Sequence, residues 1–478
     1  MRIGTALTLA AGIALAAAAA ALAPTVFVPG HRIPGVGVER KELDDELLEL
    51  RTQRMIQAQT FGILREGGAL AGARRIVDSP RLQSLFQAAS GRSGIPRDLL
   101  EAIAYLESFG DPAAQSPAGP RGIMQISVPT AHDMGLAVVV ATRYRIAKER
   151  VAVTKAGHTR FKTVTHRTAY TAMVRDDRLV PERAIPAAAM YLANLERKFG
   201  GRDWAIFAYH CGAGCVSEMI GLTRKARGVP ADQVTVPRMF FSATPGWNRE
   251  LYSAIEAQML RDYSPTYYFR IMRVQELLAL YRSDPKAFAA MFAEYRANYS
   301  TTARAPHRLA LWLTPKDLVF RSPADIQADA GQRLAPAPDR SAYLGYTLRL
   351  TSGAAAVATP AALGTLEYLA YETRRLYESM EPGEDSFRPL EVTSLVEPEA
   401  AALPEGAGEA LAHRSGEVFD ITIGNLPTGE LECLRFILDD LGWDGYLGFF
   451  EEGRDSLHIG CAPAARDFFT SVFQEAGQ

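Results

Sequence analysis

Cysteine is scarce in this chain: four in 478 residues, too few for a disulfide-built scaffold. They fall as Cys211/Cys215 and Cys433/Cys461. An oxidising compartment could bridge both pairs, or all four could stay as buried thiols, because sequence does not give connectivity. Net charge is also nearly absent. At −2 overall, the chain has no general attraction for nucleic acid, and no nucleic-acid partner is expected. No internal repeat occurs, which excludes a repeat architecture. No early cysteine follows the apolar N-terminal run, so lipidation there is excluded.

What is present describes a folded protein, with 48% hydrophobic and 22% charged residues. The length exceeds one ordinary core, so two or three domains are expected. Arg2 precedes an Ala/Leu/Ile run that reaches about Ala23, then Pro24-Thr25-Val26-Phe27-Val28. This reads as an export segment over residues 1–28. Either it is a signal peptide cut after Ala21, which avoids leaving Pro24 first, or it is an uncut anchor, since Ile3 to Val28 is long enough to span a bilayer. The rest is then expected outside the cytoplasm, in the periplasm or cell envelope, with inner-membrane attachment if the segment is kept.

Residues 39–64 show helical spacing, with Leu43, Leu47 and Leu50 on one face, a packing or spacer helix within a 39–74 spacer. Residues 143–178 differ. Arg143, Arg145, Lys148, Arg150, Lys155, Arg160, Lys162, Arg167, Arg175 and Arg178 stand among alternating Val, Phe and Thr, and the runs 151–155 and 158–164 flank Ala156-Gly157. That is a basic β-hairpin inserted in a helical domain. It is either a solvated flap or a contact for an anionic polymer such as glycan strands bearing peptides. Helical pattern resumes at Pro181, Asp203 reads as an N-cap for the segment starting at Trp204, and residues 245–300 supply two or three further helices rich in tyrosine. That aromatic density reads as core, with Tyr267 and Tyr268 as candidates to line a groove. A proline-rich linker spans 301–341, and an α+β pattern follows over 342–478.

Chemistry concentrates first at Glu107. It closes an apolar-periodic helix, Leu99-Leu100-Glu101-Ala102-Ile103-Ala104-Tyr105-Leu106-Glu107, and a loop follows with Ser116-Pro117-Ala118-Gly119-Pro120-Arg121-Gly122-Ile123-Met124-Gln125. A carboxyl held against Leu106, Phe109, Met124 and Ile126 would lose hydration, and desolvation raises its pKa. A carboxylic acid still protonated near neutrality is what glycosidic cleavage requires. The segment resembles the soluble-lytic-transglycosylase-like, goose-lysozyme-type muramidases. Their hallmark is Glu-Ser at a helix end, Ser-Pro-x-Gly-x-x-Gly-x-Met-Gln, and an Ala-Tyr-Asn-x-Gly segment that stands here as Ala208-Tyr209-His210-Cys211-Gly212. The resemblance implies a mostly α, lysozyme-like domain over 75–300 that needs no cofactor. It also implies Glu107 as general acid then base, with 1,6-anhydro-muramyl ends as product. Ser108, Met124 and Gln125 match groove-lining positions, Tyr209 matches the tyrosine that buttresses the acid, and His210 replaces the family's Asn. The implied partners are peptidoglycan strands. A hydrolytic muramidase and a catalytically silent wall-binding protein are the alternatives.

A second constellation uses the only two histidines beyond residue 340. His413-x-x-Gly416-x-x-x-Asp420 is followed by His458, and two imidazoles with one carboxylate form a catalytic zinc set. The spacing resembles D-alanyl-D-alanine carboxypeptidase/dipeptidase-type zinc peptidases over about 340–475, which implies zinc on His413, Asp420 and His458 and stem peptides as ligands. Asp455 stands where that family has a Glu base, with Glu452 as the substitute. Glu397 follows the Val392-Thr393-Ser394 strand where a substrate-facing Arg is usual. The domain therefore binds or cleaves stem peptides, binds metal without catalysis, or merely carries two ordinary histidines.

Overall fold

The structure, a computed structural model, describes residues 32–33, 43–64, 67–155, 158–259, 264–297, 320–339, 345–351, 353–380, 387–398, 413–452 and 455–476. The expected export segment over 1–28 and most of the 301–341 linker lie outside them. No helix among the described residues is long and apolar enough to cross a membrane. The chain divides into two compact units, Leu43–Tyr299 and Met1–Glu42 with Ser300–Gln478.

The first unit is helical. Its elements are α1 (Asp45–Leu64), α2 (Ala69–Val77), α3 (Pro80–Ser93), α4 (Arg97–Ser108), α5 (Val128–Asp133), the strands β1 (Val138–Lys155) and β2 (His158–Asp176), then α6 (Pro181–Phe199), α7 (Arg202–Cys211), α8 (Ala213–Lys225), α9 (Val236–Ser242), α10 (Arg249–Met259), α11 (Tyr267–Ser283) and α12 (Pro285–Ala297). Local signals set the boundaries. Ser79 caps α3 by accepting from Leu82 N–H, Pro80 opens its first turn, and Gly94 ends it with a left-handed φ of 77°. Helix α4 buries Leu99 through Tyr105 without interruption and packs against α2, α3 and α11. Its buried Glu101 is held by Arg282, Arg97 and Gln83, so the charge on a core helix is paired. Helix α1 is a packing element, not a spacer: Met55, Ile56, Ile63 and Leu64 are buried, and it packs against α11. Asp203 does not cap its helix. It sits inside the first turn, where its carboxylate accepts from Val236 N–H at 2.8 Å.

The hairpin is present and longer than its sequence signal, with 18 and 19 residues in antiparallel register from Val138↔Asp176 to Lys155↔His158. Of the cysteines, Cys211 and Cys215 are bridged across the break between α7 and α8. Cys433 and Cys461 are buried thiols and form no disulfide, so for this pair the buried-thiol alternative holds.

The second unit is α+β. It comprises α13 (Pro323–Asp329), β3 (Ala335–Pro336), β4 (Tyr346–Leu348), β5 (Val357–Ala358), α14 (Pro360–Met380), β6 (Leu390–Ser394), β7 (Val418–Thr422), α15 (Thr428–Trp443), β8 (Leu447–Glu452), β9 (Ser456–Cys461) and α16 (Arg466–Ala476). Five strands form one sheet in the order β4-β6-β7-β9-β8, parallel only between β4 and β6. The buried helix α14 packs on α15, α16 and β9. Helix α13 falls where an irregular linker was expected, because Ser322 caps it and Pro323 opens it. Gly364 lets α14 meet α16, since a Cβ there would lie 1.7 Å from the Phe469 carbonyl oxygen. Gly364→Ala should lower the stability of this unit by about 2 kcal/mol or more, read as an earlier unfolding transition in calorimetry.

Candidate active site and candidate metal centre

Glu107 sits where α4 is stopped. Phe109 adopts φ 51°, its N–H reaches Tyr105 O at 2.8 Å, and Gly110 N–H reaches Ala104 O at 3.0 Å, the bonding of a helix ended by a left-handed residue. Such a φ is costly for phenylalanine. Its ring is seated where Gly68 and Gly72 leave room, since a Cβ on Gly72 would lie 2.7 Å from the Phe109 Cβ. Ser108 Oγ lies 3.1 Å from Ala104 O and 2.8 Å from Ile123 O, tying the helix end to the following loop.

That loop is braced from within and below. The Gln125 side-chain amide donates to Gly122 O at 2.9 Å and Ala114 O at 3.3 Å. Gly122 has φ 80°, and a Cβ there would lie 1.9 Å from the Arg178 carbonyl oxygen, so only glycine fits. Arg178, 1% exposed, donates two bonds to Asp176 at 2.8 Å and reaches Gly119 O at 3.2 Å and Ile126 O at 3.1 Å. One buried guanidinium thus fastens the loop to the root of the hairpin. Asp177 adds a second tie by accepting from Ala137 N–H, Arg175 and Arg183.

The acid is set among aromatics. Tyr267 OH donates to Glu107 Oε1 at 2.7 Å. The His210 ring stacks on Tyr267 with centroids 4.6 Å apart and planes 6° from parallel. Tyr209 OH donates to Met124 O at 2.9 Å. Loss of hydration raises the Glu107 carboxyl to about 7, against the opposing pull of the Tyr267 hydrogen bond. The residue nonetheless stays half-buried. Burial, with the nearby Glu107 charge second, pushes both Tyr209 and Tyr267 well above the ordinary phenol range.

Of the expected site residues, Tyr209, His210 and Ser108 share this neighbourhood. Met124 is fully buried, so its side chain lines no open groove; packing and its carbonyl are what it supplies. Gln125 spends its amide N–H groups inside the loop. Tyr267 was readable as core or groove wall, but its bond to Glu107, 160 positions away, has no local signal. Three other carboxylates of the first unit, considered as a second acid, are bonded to other partners. Asp111 accepts from Ala113 N–H, Glu182 pairs with Arg81, and Glu196 pairs with Arg202.

In the second unit, strand register assembles the other constellation. Ser394 lies opposite Asp420, and Asp420 opposite His458, so three side chains form one row on one face of the sheet. His413 joins from the turn before β7. Its Nδ1 is 2.7 Å from Leu395 O and 3.3 Å from Ser394 Oγ, while its Nε2 is 3.3 Å from His458 Nδ1 and 3.2 Å from Asp420 Oδ2. His458 Nδ1 also meets Asp420 Oδ1. Glu397 accepts from Ser394 Oγ at 2.6 Å. Burial would lower the His413 pKa, but the Asp420 carboxylate outweighs it and raises it. For Asp420, burial is outweighed by the two imidazoles, which hold it well below the carboxylate range. His413, Asp420 and His458 each offer one ligand atom, all within 4.8 Å of one another. Asp455 is not among them: it is exposed in the β8–β9 turn, with its carboxyl against Gly424. It precedes β9, which begins at Ser456, so it stands outside the row that strand pairing forms. Glu452 ends β8 opposite Ser456, and its side chain lies outside the described residues.

Residues 84–151 and 154–228 match the family model of the transglycosylase SLT domain, so an SLT domain is present in this part of the chain. Relatives include the peptidoglycan transglycosylase gp16 of Escherichia phage T7, 36% identical over 27% of this chain and 8% of its own length. The membrane-bound lytic murein transglycosylase F 1 of Alkalilimnicola ehrlichii is 26% identical over 46% of this chain and 37% of its own. The chain thus spans well under half the length of these relatives. The 70 kDa soluble lytic transglycosylase structure from Escherichia coli aligns at 18% identity and TM-score 0.28, over 52% of this chain and 31% of that one, a superposition too loose to define either unit's fold.

Tyr267→Phe removes a hydrogen bond that favours the charged carboxylate, so the Glu107 pKa should rise above about 7. A reaction needing the protonated acid should then lose rate at a higher pH than in the parent, seen as an upward-moved alkaline limb of the rate profile. The raised pKa also contributes to stability in a pH-dependent way. The folded chain holds the proton more tightly than the unfolded one, so this contribution is present at low pH and is lost as pH rises through about 7. Glu107→Gln should therefore gain about 1–3 kcal/mol at pH 8 and much less at pH 5, measured by denaturant unfolding at both pH values.

Proposed function

We propose that the chain is a peptidoglycan lytic transglycosylase that cleaves the bond between N-acetylmuramic acid and N-acetylglucosamine, with Glu107 as its only acid and base. The observation that carries this reading is a desolvated carboxyl near pKa 7, held by Tyr267, while Asp111, Glu182 and Glu196 are each bonded to another partner. Hydrolysis by either ordinary stereochemical course needs a second carboxylate to activate water or attack the sugar. With one acid, the nucleophile comes from the substrate. Protonated Glu107 gives its proton to the glycosidic oxygen as the bond to C1 breaks. The carboxylate then takes the proton of the muramyl C6 hydroxyl while O6 bonds to C1. The proton is returned, no water is consumed, and the intramolecular hydroxyl gains from proximity. A pKa near the working pH suits a group that must both give and take. Such an enzyme works in the cell envelope, where its substrate lies.

The second unit is proposed to hold zinc through His413 Nε2, Asp420 and His458 Nδ1. The fit rests on separations of 3.2 and 3.3 Å between donor atoms, close to the edge of about 3.4 Å for a tetrahedron with bonds near 2.1 Å. Leu395 O fixes the His413 tautomer with Nε2 free to ligate, as outer partners of metal-bound histidines do. Bound zinc would supply a Lewis acid and an acidified water. Glu397 places a negative group beside His413, where a cation would be needed to hold a peptide carboxylate, which counts against both cleavage and carboxylate-directed binding of stem peptides at this site. A metal-free charge-paired triad is the second reading, favoured by the opposite shifts of His413 and Asp420.

The full chain incubated with murein sacculi should yield muramyl ends lighter by one water, identified by mass spectrometry. Reducing ends instead would make it a hydrolase. Glu107→Gln should lower release by about 100-fold or more; unchanged release would leave the chain a wall-binding protein. Purified chain should contain one zinc, lost in His413→Ala and His458→Ala, with a chelator lowering the unfolding temperature of the second unit. Metal-free protein whose unfolding temperature ignores added zinc would leave the charge-paired triad as the answer.

A further inference from the structure

Among the described residues, the hairpin of β1 and β2 has both faces in water and no covering element along most of its length. An isolated two-stranded ribbon is marginal in water, yet this one extends for about 60 Å at ~3.3 Å per residue. Its root is fixed by Arg178 and Asp177, as described above. Along its length arginines lie over aromatic rings: Arg167 over Tyr144 at 3.6 Å, Arg150 over Phe161 at 5.0 Å and Arg145 over Tyr170 at 5.9 Å. Its charge is one-sided. Residues 138–176 hold nine Lys/Arg against two Asp/Glu, a net +7 in a chain of net −2.

We propose that this hairpin is a binding arm for murein, gripping the carboxylates of the stem peptides on the strand whose glycan is presented to Glu107. The inference rests on the transglycosylase reading. Three observations select this occupant. A net +7 on each arm opposes pairing with a second copy through the open strand edges, so the partner is an anion. The cations occupy both faces: register and alternation put Arg143, Arg145, Arg160 and Lys162 on one side, and Lys148, Arg150 and Arg167 on the other. A flat lipid surface would engage one side only, whereas a strand network surrounds the arm. Finally, Arg178 bonds both to Asp176 at the arm's root and to the loop carbonyls of Gly119 and Ile126 beside the acid. The root of the arm is therefore fastened to the loop that follows the Glu107 helix. The Arg–aromatic contacts stiffen guanidinium groups that would otherwise lose entropy on binding.

The test uses the full chain carrying Glu107→Gln, to separate binding from cutting, and the same chain with Arg143, Arg145, Arg160 and Lys162 all changed to Gln. Co-sedimentation with murein sacculi is followed from low to high salt. The neutralised arm should bind at least about tenfold more weakly at low salt, and its binding should decline less with added salt. With Glu107 restored, the neutralised chain should cut short peptide-free glycan oligomers at the parent rate, and its unfolding temperature should be unchanged. Equal sacculus binding by the two chains at every salt concentration would overturn the arm while leaving cleavage intact. Loss of binding to phosphatidylglycerol vesicles or duplex DNA, with sacculus binding unaffected, would overturn it in favour of those partners. Absence of anhydro ends from the unmodified chain would instead count against the transglycosylase reading.

Discussion

The loss of water around one carboxyl group governs the chemistry available to the first unit. A carboxyl in bulk water is ionised at neutral pH and can only accept a proton. At Glu107, burial moves the group to about 7, and Tyr267 moderates the shift by donating to it. These opposing effects come from different parts of the chain: the stop of α4 at Phe109 positions the acid, and the start of α11 brings the phenol. Too little burial would leave a permanent base, and burial without Tyr267 would leave a reluctant one. The pair yields a group that is both acid and base near neutrality.

Positioning that pair requires a fixed loop, and the fixing comes from buried charge. Arg178 satisfies four acceptor contacts on Asp176, Gly119 and Ile126. A buried arginine is tolerable only when so fully bonded. Asp176 is held below the ordinary carboxylate range because Arg178 and Arg121 outweigh its burial, so the clamp stays ionised across the working pH range of the acid it supports. Glu107 is tuned by desolvation to titrate near neutrality. Asp176 is tuned by its partners not to.

Parts of this were legible in the sequence. The Glu107 helix and its loop announced themselves by apolar period followed by Gly/Pro/Ser punctuation, and the hairpin by alternation around Ala156-Gly157. The second-unit triad was legible because histidine is rare there, so its spacing stood out. What failed depended on distance or on very short elements. Tyr267 is 160 positions from the carboxyl it bonds, and one tyrosine in an aromatic-rich helix looks like its neighbours. Met124 matched a groove-lining position, yet it is buried together with Ile123 and Ile126 in a loop whose turn at Gln125 has φ 44°. Strand β4, three residues long, is defined by its parallel partner β6 and has no pattern of its own. The proline count of the linker concealed α13, although Ser322-Pro323 is itself a helix start. Asp455 stood at a family's base position three residues before His458, but it lies in the turn before β9 and outside the paired row.

His210 is where the first unit departs from the pattern it resembles, and the structure shows how the departure is absorbed. The imidazole lies flat on Tyr267, and the next residue, Cys211, is bridged to Cys215 across the helix break at Gly212. A side chain of different shape has thus been set against the phenol that bonds the acid, with the backbone beneath it covalently fixed. The stacked imidazole leaves the Tyr267 hydroxyl bonded to Glu107. Position 210 therefore reaches the acid through Tyr267, so its identity bears on how that phenol is held.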